Sequence, residues 1–174
     1  MTSFKELEQL AEKILEENGL LDAPVDVYKL ADKLSILVTE SDPEDENLSG
    51  ALIRGQSSKV LINSKHPETR RRFTLGHEIG HYLIHPNQAN FVDGSQKGQV
   101  QVLFRRGGGS SSEMEREANR FAAALLMPPS LLKKEIAKFT DEQDQLLMHL
   151  SDIFDVSKEA MGYRLLDLGY TNAG

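Results

Sequence analysis

The sequence predicts an α+β fold in which a small β-sheet packs on a helical core around one central helix. Segments with helical periodicity lie at both ends of the chain, whereas most strand-like aliphatic runs fall between residues 36 and 63. Apolar side chains surround the segment that follows residue 67, as expected of a helix buried on most sides. With 174 residues, of which 39% are hydrophobic, the chain can form one packed core.

The first half of the chain is predicted to contain two helices and a small sheet. Helical spacing of apolar residues is followed by the stop signal Asn18-Gly19, and a second short helix is expected after Pro24. β-branched and aliphatic runs then predict three strands, two of which flank a polar turn. The expected elements are helices over 4–15 and 27–34, a strand over 36–39, and a β-hairpin with strands over 49–54 and 59–63.

The central helix is predicted to cover 68–85, since Pro86 cannot continue it. It carries His77, Glu78 and His81, which is the H-E-x-x-H pattern of a hydrolytic zinc site. A four-residue step returns to nearly the same face of a helix, so both histidines can point at one ion. Glu78 lies about 100° round the helix, where its carboxylate can reach a water on the ion without ligating it.

A third protein ligand is expected from the next helix, which is predicted over 113–127. Three carboxylates lie near its start, Glu113, Glu115 and Glu117, and helical phase favours Glu115 slightly because it borders the buried stripe. Phase alone leaves the other two open. His85 continues the four-residue spacing but lies about 12 Å along the axis from the first histidine, too far to share one ion, so a cation near the helix C-terminus is favoured there.

The composition excludes several classes of protein. A net charge of −7 argues against wholesale electrostatic binding to nucleic acid or to an anionic membrane. There is no cysteine, so a metal ion must be held by histidine and carboxylate side chains. Residues 1–18 are charged rather than signal-like, and no apolar run has membrane length. We therefore expect a cytoplasmic protein without a membrane partner.

Two long motifs, 72–81 (RFTLGHEIGH) and 115–128 (EREANRFAAALLMP), resemble the ImmA/IrrE family of metallopeptidases. The resemblance extends to 24–38 and 154–157 and so covers most of the chain. It implies a zincin-like, gluzincin-type core that binds one Zn²⁺ per chain.

In that core, the resemblance implies that the metal ligands are His77, His81 and Glu115, with Glu78 as the catalytic acid and base. It further implies an endopeptidase that cleaves a helix-turn-helix repressor encoded nearby, which switches on stress, phage or mobile-element genes. The chain departs from the family pattern in its Gly/Ser-rich approach to Glu115, at 107–112.

Residues 1–129 are predicted to form the metallopeptidase core, within which 87–112 is a candidate lid. Only 100–104 in this segment looks strand-like, and a passive connector is the alternative. Residues 130–174 are predicted to form a helical extension packed on the core, with a helix-turn-helix-like pair at its end.

Basic residues are few in the parts of the chain that a nucleic acid could contact. The second helix of the C-terminal pair offers only Lys158 and Arg164, so packing or substrate docking is favoured over reading of DNA. The arginine runs 70–72 and 105–106 are expected to be solvated or paired with acidic side chains.

Two hypotheses follow for the function. Two histidines and one glutamate leave zinc an open position for water, which favours hydrolysis of a peptide bond. The alternative is a non-proteolytic metal-containing regulator that binds a repressor or DNA and displaces it without cleavage. The presence of Glu78 favours the protease. An oxyanion-stabilising residue is left open among five candidates, Tyr82, His149, Tyr163, Arg164 and Tyr170.

Overall fold

The computed structural model describes residues 3–42, 49–86, 91–94, 99–102, 112–139 and 143–170, which form the predicted α+β fold. Within these residues there are seven helices and five strands. In chain order they are α1 (Phe4–Glu17), α2 (Val27–Lys33), β1 (Ile36–Ser41), β2 (Gly50–Ile53), β3 (Ser58–Asn63), α3 (Glu68–Ile84), β4 (Phe91–Gly94), β5 (Gln99–Val102), α4 (Ser112–Leu126), α5 (Pro129–Ile136), α6 (Gln143–Phe154) and α7 (Lys158–Asp167).

The three-stranded sheet has the order β1-β3-β2 and mixes both pairing directions. β2 and β3 form the predicted antiparallel hairpin, in which Leu52 lies opposite Val60. β1 runs parallel to the opposite side of β3, where Val38 also pairs with Val60. Val60 is fully buried, since the central strand has a neighbour on each side and helices against its face. Among the described strands, β2 therefore lies at an edge of this sheet.

The close packing of α3 on α4 organises the core, and both glycines of the H-E-x-x-H region make it possible. A Cβ built on Gly76 would lie 3.6 Å from the Cα of Ala122, and one built on Gly80 would lie 3.4 Å from the Cα of Ala118. The backbones therefore approach as the helix-unfavourable glycines suggest. Leu75, also on α3, is fully buried, as expected for the central helix.

Buried arginines connect the C-terminal helices to the rest of the chain. Arg72 donates to the carbonyl oxygens of Phe154 at 3.3 Å and Asp155 at 3.1 Å. Arg164 of α7 donates to Glu8 of α1 at 2.7 Å. Arg164 is only 1% exposed, which leaves Lys158 as the one accessible basic side chain of the two considered for reading of DNA. The division at residue 129 into core and extension stays a prediction.

In the arginine run before the central motif, Arg70 is exposed and Arg71 pairs with an acidic side chain, as expected, whereas Arg72 is buried. Arg70 donates to the Ser49 hydroxyl at 2.9 Å, and Arg71 pairs with Glu40. The pKa of the neighbouring Tyr28 is raised, chiefly by burial and secondly by the negative charge of Glu40. The second arginine run, at 105–106, lies outside the described residues.

The segment expected to form a lid contains more regular structure than the sequence indicated. β5 overlaps the strand-like stretch that was predicted, but it pairs with a strand, β4, that was missed. The rest of 87–112 up to the start of α4 lies outside the described residues, so the lid stays a prediction. Among the helices that the structure describes, none combines the length and apolar character needed to cross a membrane.

Candidate metal centre

The two motif histidines project from the same face of α3. Their Nε2 atoms are 3.0 Å apart, which the four-residue helical step allows. His81 is fully buried, whereas the side chain of His77 is 14% exposed. One imidazole therefore lies in the interior, whereas the other is partly exposed.

Glu115 in the first turn of α4 completes a group that could hold a metal ion. Its Oε2 atom is 3.2 Å from Nε2 of His77, and its Oε1 atom is 3.5 Å from Nε2 of His81. A tetrahedral site with ligand bonds of ~2.05 Å has donor–donor edges of about 3.3 Å. The three observed separations thus suit one small tetrahedral ion.

The contact between α3 and α4 brings Glu115, rather than its neighbours, to the histidines. Within the described residues, His77, His81 and Glu115 are the only such group of His, Asp and Glu side chains. Glu117 turns instead to His85, with Oε2 2.9 Å from Nε2 of that ring. The residue that helical phase favoured is therefore the one that the structure places with the histidines.

Glu78, which the motif suggests as a proton-transferring carboxylate, directly follows His77 on α3. It is only 4% exposed and is not a member of the metal-binding group. The first residue of β2, Gly50, packs beside it, and a Cβ built on Gly50 would lie 3.9 Å from Cγ of Glu78. The same Cβ would be 2.5 Å from Cγ2 of Thr74, so a side chain at this position would force β2 away from α3.

Both histidines are held by further polar side chains, which the sequence analysis missed. Nδ1 of His77 is 2.8 Å from Oδ1 of Asn119, one helical turn beyond Glu115. Nδ1 of His81 is 3.0 Å from Nδ1 of His85. Such partners fix the ring orientation of metal-binding histidines. A sequence signal was present, because Asn119 lies four residues after Glu115 and His85 lies four residues after His81.

Arg54, just after β2, anchors the C-terminal end of α3. Its Nη2 atom donates to the carbonyl oxygens of His81 at 2.8 Å and His85 at 3.1 Å, and the guanidinium lies 5.4 Å from the centre of the Tyr82 ring. Burial lowers the pKa of Arg54, and the interaction with Tyr82 acts against this shift. A cation at this helix end favours the partial negative charge of the last carbonyls.

Two of the five candidates for oxyanion stabilisation, Arg164 and His149, make contacts with other parts of the protein. Arg164 is committed to Glu8 and to the carbonyl oxygen of Met127, which is 3.1 Å from its Nε. The ring of His149 packs against Phe139, with centroids 5.1 Å apart. Neither contact involves a residue of the metal-binding group.

Two histidines and a glutamate on facing helices, beside a buried glutamate, define a helix-borne centre of the H-E-x-x-H class. The chain belongs to the Peptidase_M78 family, described as the IrrE N-terminal-like domain, whose profile matches residues 31–166. This confirms the resemblance seen in the two motifs and assigns the chain to a family of zinc-dependent peptidases. No curated protein matches the chain.

A solved structure described as a Mycobacterium tuberculosis transcriptional regulator has a similar fold, with a TM-score of 0.64 and 16% sequence identity. The match covers 92% of this chain and 46% of that chain. The chain thus spans about half the length of the regulator that it matches.

Proposed function

We propose that this protein is a zinc-dependent endopeptidase that cleaves a helix-turn-helix transcriptional repressor encoded near its own gene. The observation that carries the proposal is the convergence of His77, His81 and Glu115, within 3.0–3.5 Å of one another, beside the buried Glu78. Structural zinc sites usually have four protein ligands, whereas a group of three leaves a coordination position for reactants.

The donor set fits zinc by its chemistry. Two imidazole nitrogens and one carboxylate oxygen are the ligands found in hydrolytic zinc sites, and the chain has no cysteine that would favour a closed thiolate site. The chemistry that zinc supplies when bound is Lewis acidity, which polarises the scissile carbonyl and lets water lose a proton near neutral pH.

The protein's own residues then move the proton and hold the reactants. In the proposed reaction, the Glu78 carboxylate accepts a proton from the attacking water and delivers it to the nitrogen of the leaving amine. Because Glu78 is largely buried, its carboxylate keeps a fixed position relative to both histidines. One carboxylate on one helix can therefore serve as general base and then as general acid.

The free edge of β2 is the proposed substrate-binding strand. β3 pairs with one side of β2, and no other strand in the described part of the chain pairs with the opposite side. The strand begins at Gly50, which packs beside Glu78. An extended peptide that adds to this edge would thus pass the catalytic carboxylate with its backbone hydrogen-bonded along residues 50–53.

The choice of a repressor as substrate is supported by the family to which the chain belongs and by the function named for its structural neighbour. The family resemblance implies repressors with helix-turn-helix domains, and the neighbour is described as a transcriptional regulator. The C-terminal pair α6 and α7 has few accessible basic residues, so we assign it to contact with protein rather than to reading of DNA.

The test is to incubate the zinc-loaded protein with the repressor from the neighbouring gene and to identify the products by mass spectrometry. Two new fragments that meet at one peptide bond are expected, and none should form with chelator-treated protein or with the Glu78→Gln variant. A repressor that is bound and released from its operator while remaining intact would instead support the non-proteolytic regulator. Cleavage that persists in the Glu78→Gln variant would refute the proposed mechanism.

A further inference from the structure

We propose that His85 and Glu117 are positioning residues that hold His81 in the one tautomer able to bind a metal ion. This inference rests on the proposed metal site but not on the identity of any substrate. The three side chains form a continuous chain: His81 Nδ1 lies 3.0 Å from His85 Nδ1, and His85 Nε2 lies 2.9 Å from Glu117 Oε2. Sequence spacing had excluded His85 as a ligand without giving it this role.

The direction of the hydrogen bonds follows from the carboxylate at the end of the chain. An ionised carboxylate only accepts hydrogen bonds, so Nε2 of His85 must carry the proton that it donates to Glu117. In the neutral ring, Nδ1 of His85 is then an acceptor. Nδ1 of His81 must therefore be the donor, which leaves Nε2 of His81 with its lone pair directed at the metal-binding group.

The opposite arrangement would abolish metal binding. If His85 donated from Nδ1, His81 would have to accept there and carry its own proton on Nε2. That proton would lie on the atom that is 3.0 Å from Nε2 of His77 and 3.5 Å from Glu115 Oε1, in the place of the ion.

The three hydrogen-bonded side chains are buried, which keeps their geometry persistent. The side chain of His81 is fully buried, and those of His85 and Glu117 are 7% and 14% exposed. Water has little access to compete for these hydrogen bonds, so the partner of each ring nitrogen is set by the protein. The backbone N–H of His85 also donates to the carbonyl of His81 at 3.1 Å, which fixes the position from which the second imidazole reaches the first.

The other ligand histidine shows a shorter version of the same arrangement. Nδ1 of His77 lies 2.8 Å from Oδ1 of Asn119, an oxygen that accepts a hydrogen bond directly. His81, the more buried of the two ligand histidines, reaches the Glu117 carboxylate through the imidazole of His85. In both cases α4 supplies the terminal acceptor. Asn119 lies one helical turn after Glu115, and Glu117 lies two residues after it.

The test compares variants that keep or remove a hydrogen-bond acceptor at each position. Zinc affinity is measured by competition with a chromophoric chelator, with thermal unfolding of each metal-free variant as a check on the fold. His85→Leu and Glu117→Leu should weaken zinc binding by about 10–100-fold, the usual effect of losing such a partner. His85→Asn and Glu117→Gln each retain an oxygen acceptor and should stay within about threefold of wild type, since their hydrogen bonds can re-form.

A second measurement reads the tautomer without any zinc. Two-bond ¹H–¹⁵N correlations of the histidine rings, recorded on metal-free protein at mildly alkaline pH, should show His81 protonated at Nδ1 and His85 at Nε2. In Glu117→Leu, His81 should lose this single tautomer. A metal-free wild type with its His81 proton on Nε2, or leucine variants that bind zinc as tightly as wild type, would overturn the inference. If the wild-type protein bound no zinc, the proposed function would fail. The tautomer measurement would still decide whether His85 and Glu117 position His81.

Discussion

A Cβ atom built on Gly80 would lie 3.3 Å from the carbonyl oxygen of Ala118, which shows how closely α3 and α4 touch in the turns beside the metal-binding group. The same atom would lie 3.1 Å from Cδ1 of Phe121, a fully buried side chain. Because His81 follows Gly80 on α3 and Glu115 precedes Ala118 by one turn on α4, the separation of the two helices sets the distance between ligands.

Gly80→Ala is expected to destabilise the fold and to weaken zinc binding. Overpacking of a core typically costs ~1–3 kcal/mol, and the gain in helix propensity offsets only about 1 kcal/mol of this. The neighbours are a backbone carbonyl and a buried ring, which have little room to move. Chemical denaturation should therefore show a net loss of up to about 2 kcal/mol, and chelator competition should show a lower zinc affinity.

Gly162→Ala is the matched control for this prediction. Gly162 lies inside α7, and a Cβ built on it would meet nothing within 4 Å. The added methyl group should stabilise the protein by up to about 1 kcal/mol, because alanine loses less backbone entropy in a helix. If the two alanine variants changed the free energy of unfolding equally, close packing at Gly80 would not be the reason that glycine stands there.

The identity of the third ligand gives a prediction about metal content. Purified wild-type protein should contain about one zinc per chain, and Glu115→Gln should lower the zinc affinity by more than ~100-fold, beyond the effect of losing an outer hydrogen-bond partner. Glu113→Gln removes the same charge from the same helical turn and should leave zinc content unchanged. Elemental analysis and chelator competition distinguish these outcomes. Loss of zinc in Glu113→Gln alone would move the ligand to that residue.

Patterns confined to one element were predicted well from the sequence. The H-E-x-x-H spacing places two rings on one face of any α-helix, so the 3.0 Å approach of His77 and His81 follows from local geometry. The hairpin of β2 and β3 was likewise predicted, since a polar turn between two apolar runs is a local signal. The start of α7 is likewise fixed by a local contact, because the hydroxyl of its N-cap Ser157 accepts from the N–H of Ala160.

Features that depend on contact between distant elements were not predictable in the same way. Helical phase favoured Glu115 only slightly over Glu113 and Glu117, and it is the packing of α4 against α3 that brings Glu115 to the motif histidines and Glu117 to His85. The parallel pairing of β1 with β3 also has no local signal, because helix periodicity and strand runs do not specify register between separate strands.

Glu78→Gln is expected to separate metal binding from catalysis. Glutamine has nearly the same shape but cannot accept and return a proton, so hydrolysis of a peptide substrate should fall by about 10²–10⁴-fold. Because Glu78 does not belong to the metal-binding group, zinc content and thermal stability should stay close to wild type. Glu113→Gln serves as a charge-matched control with wild-type activity. A Glu78→Gln variant that had lost its zinc would indicate that this carboxylate ligates the metal.

Arg54→Ala is expected to loosen the junction between the proposed substrate strand and the catalytic helix. Arg54 follows β2 directly, and its Nη2 atom donates to carbonyl oxygens of His81 and His85 at the end of α3. Hydrogen bonds from a charged donor typically contribute ~1.5–3 kcal/mol, so unfolding experiments should show a loss of about that size. Arg70→Ala is the control, because that arginine makes an exposed contact with Ser49 and should change stability by less than ~0.5 kcal/mol. If β2 binds the substrate, Arg54→Ala should also raise KM, since the strand loses its anchor to the helix that carries Glu78. An unchanged KM in a measurably destabilised variant would argue against substrate binding along this edge.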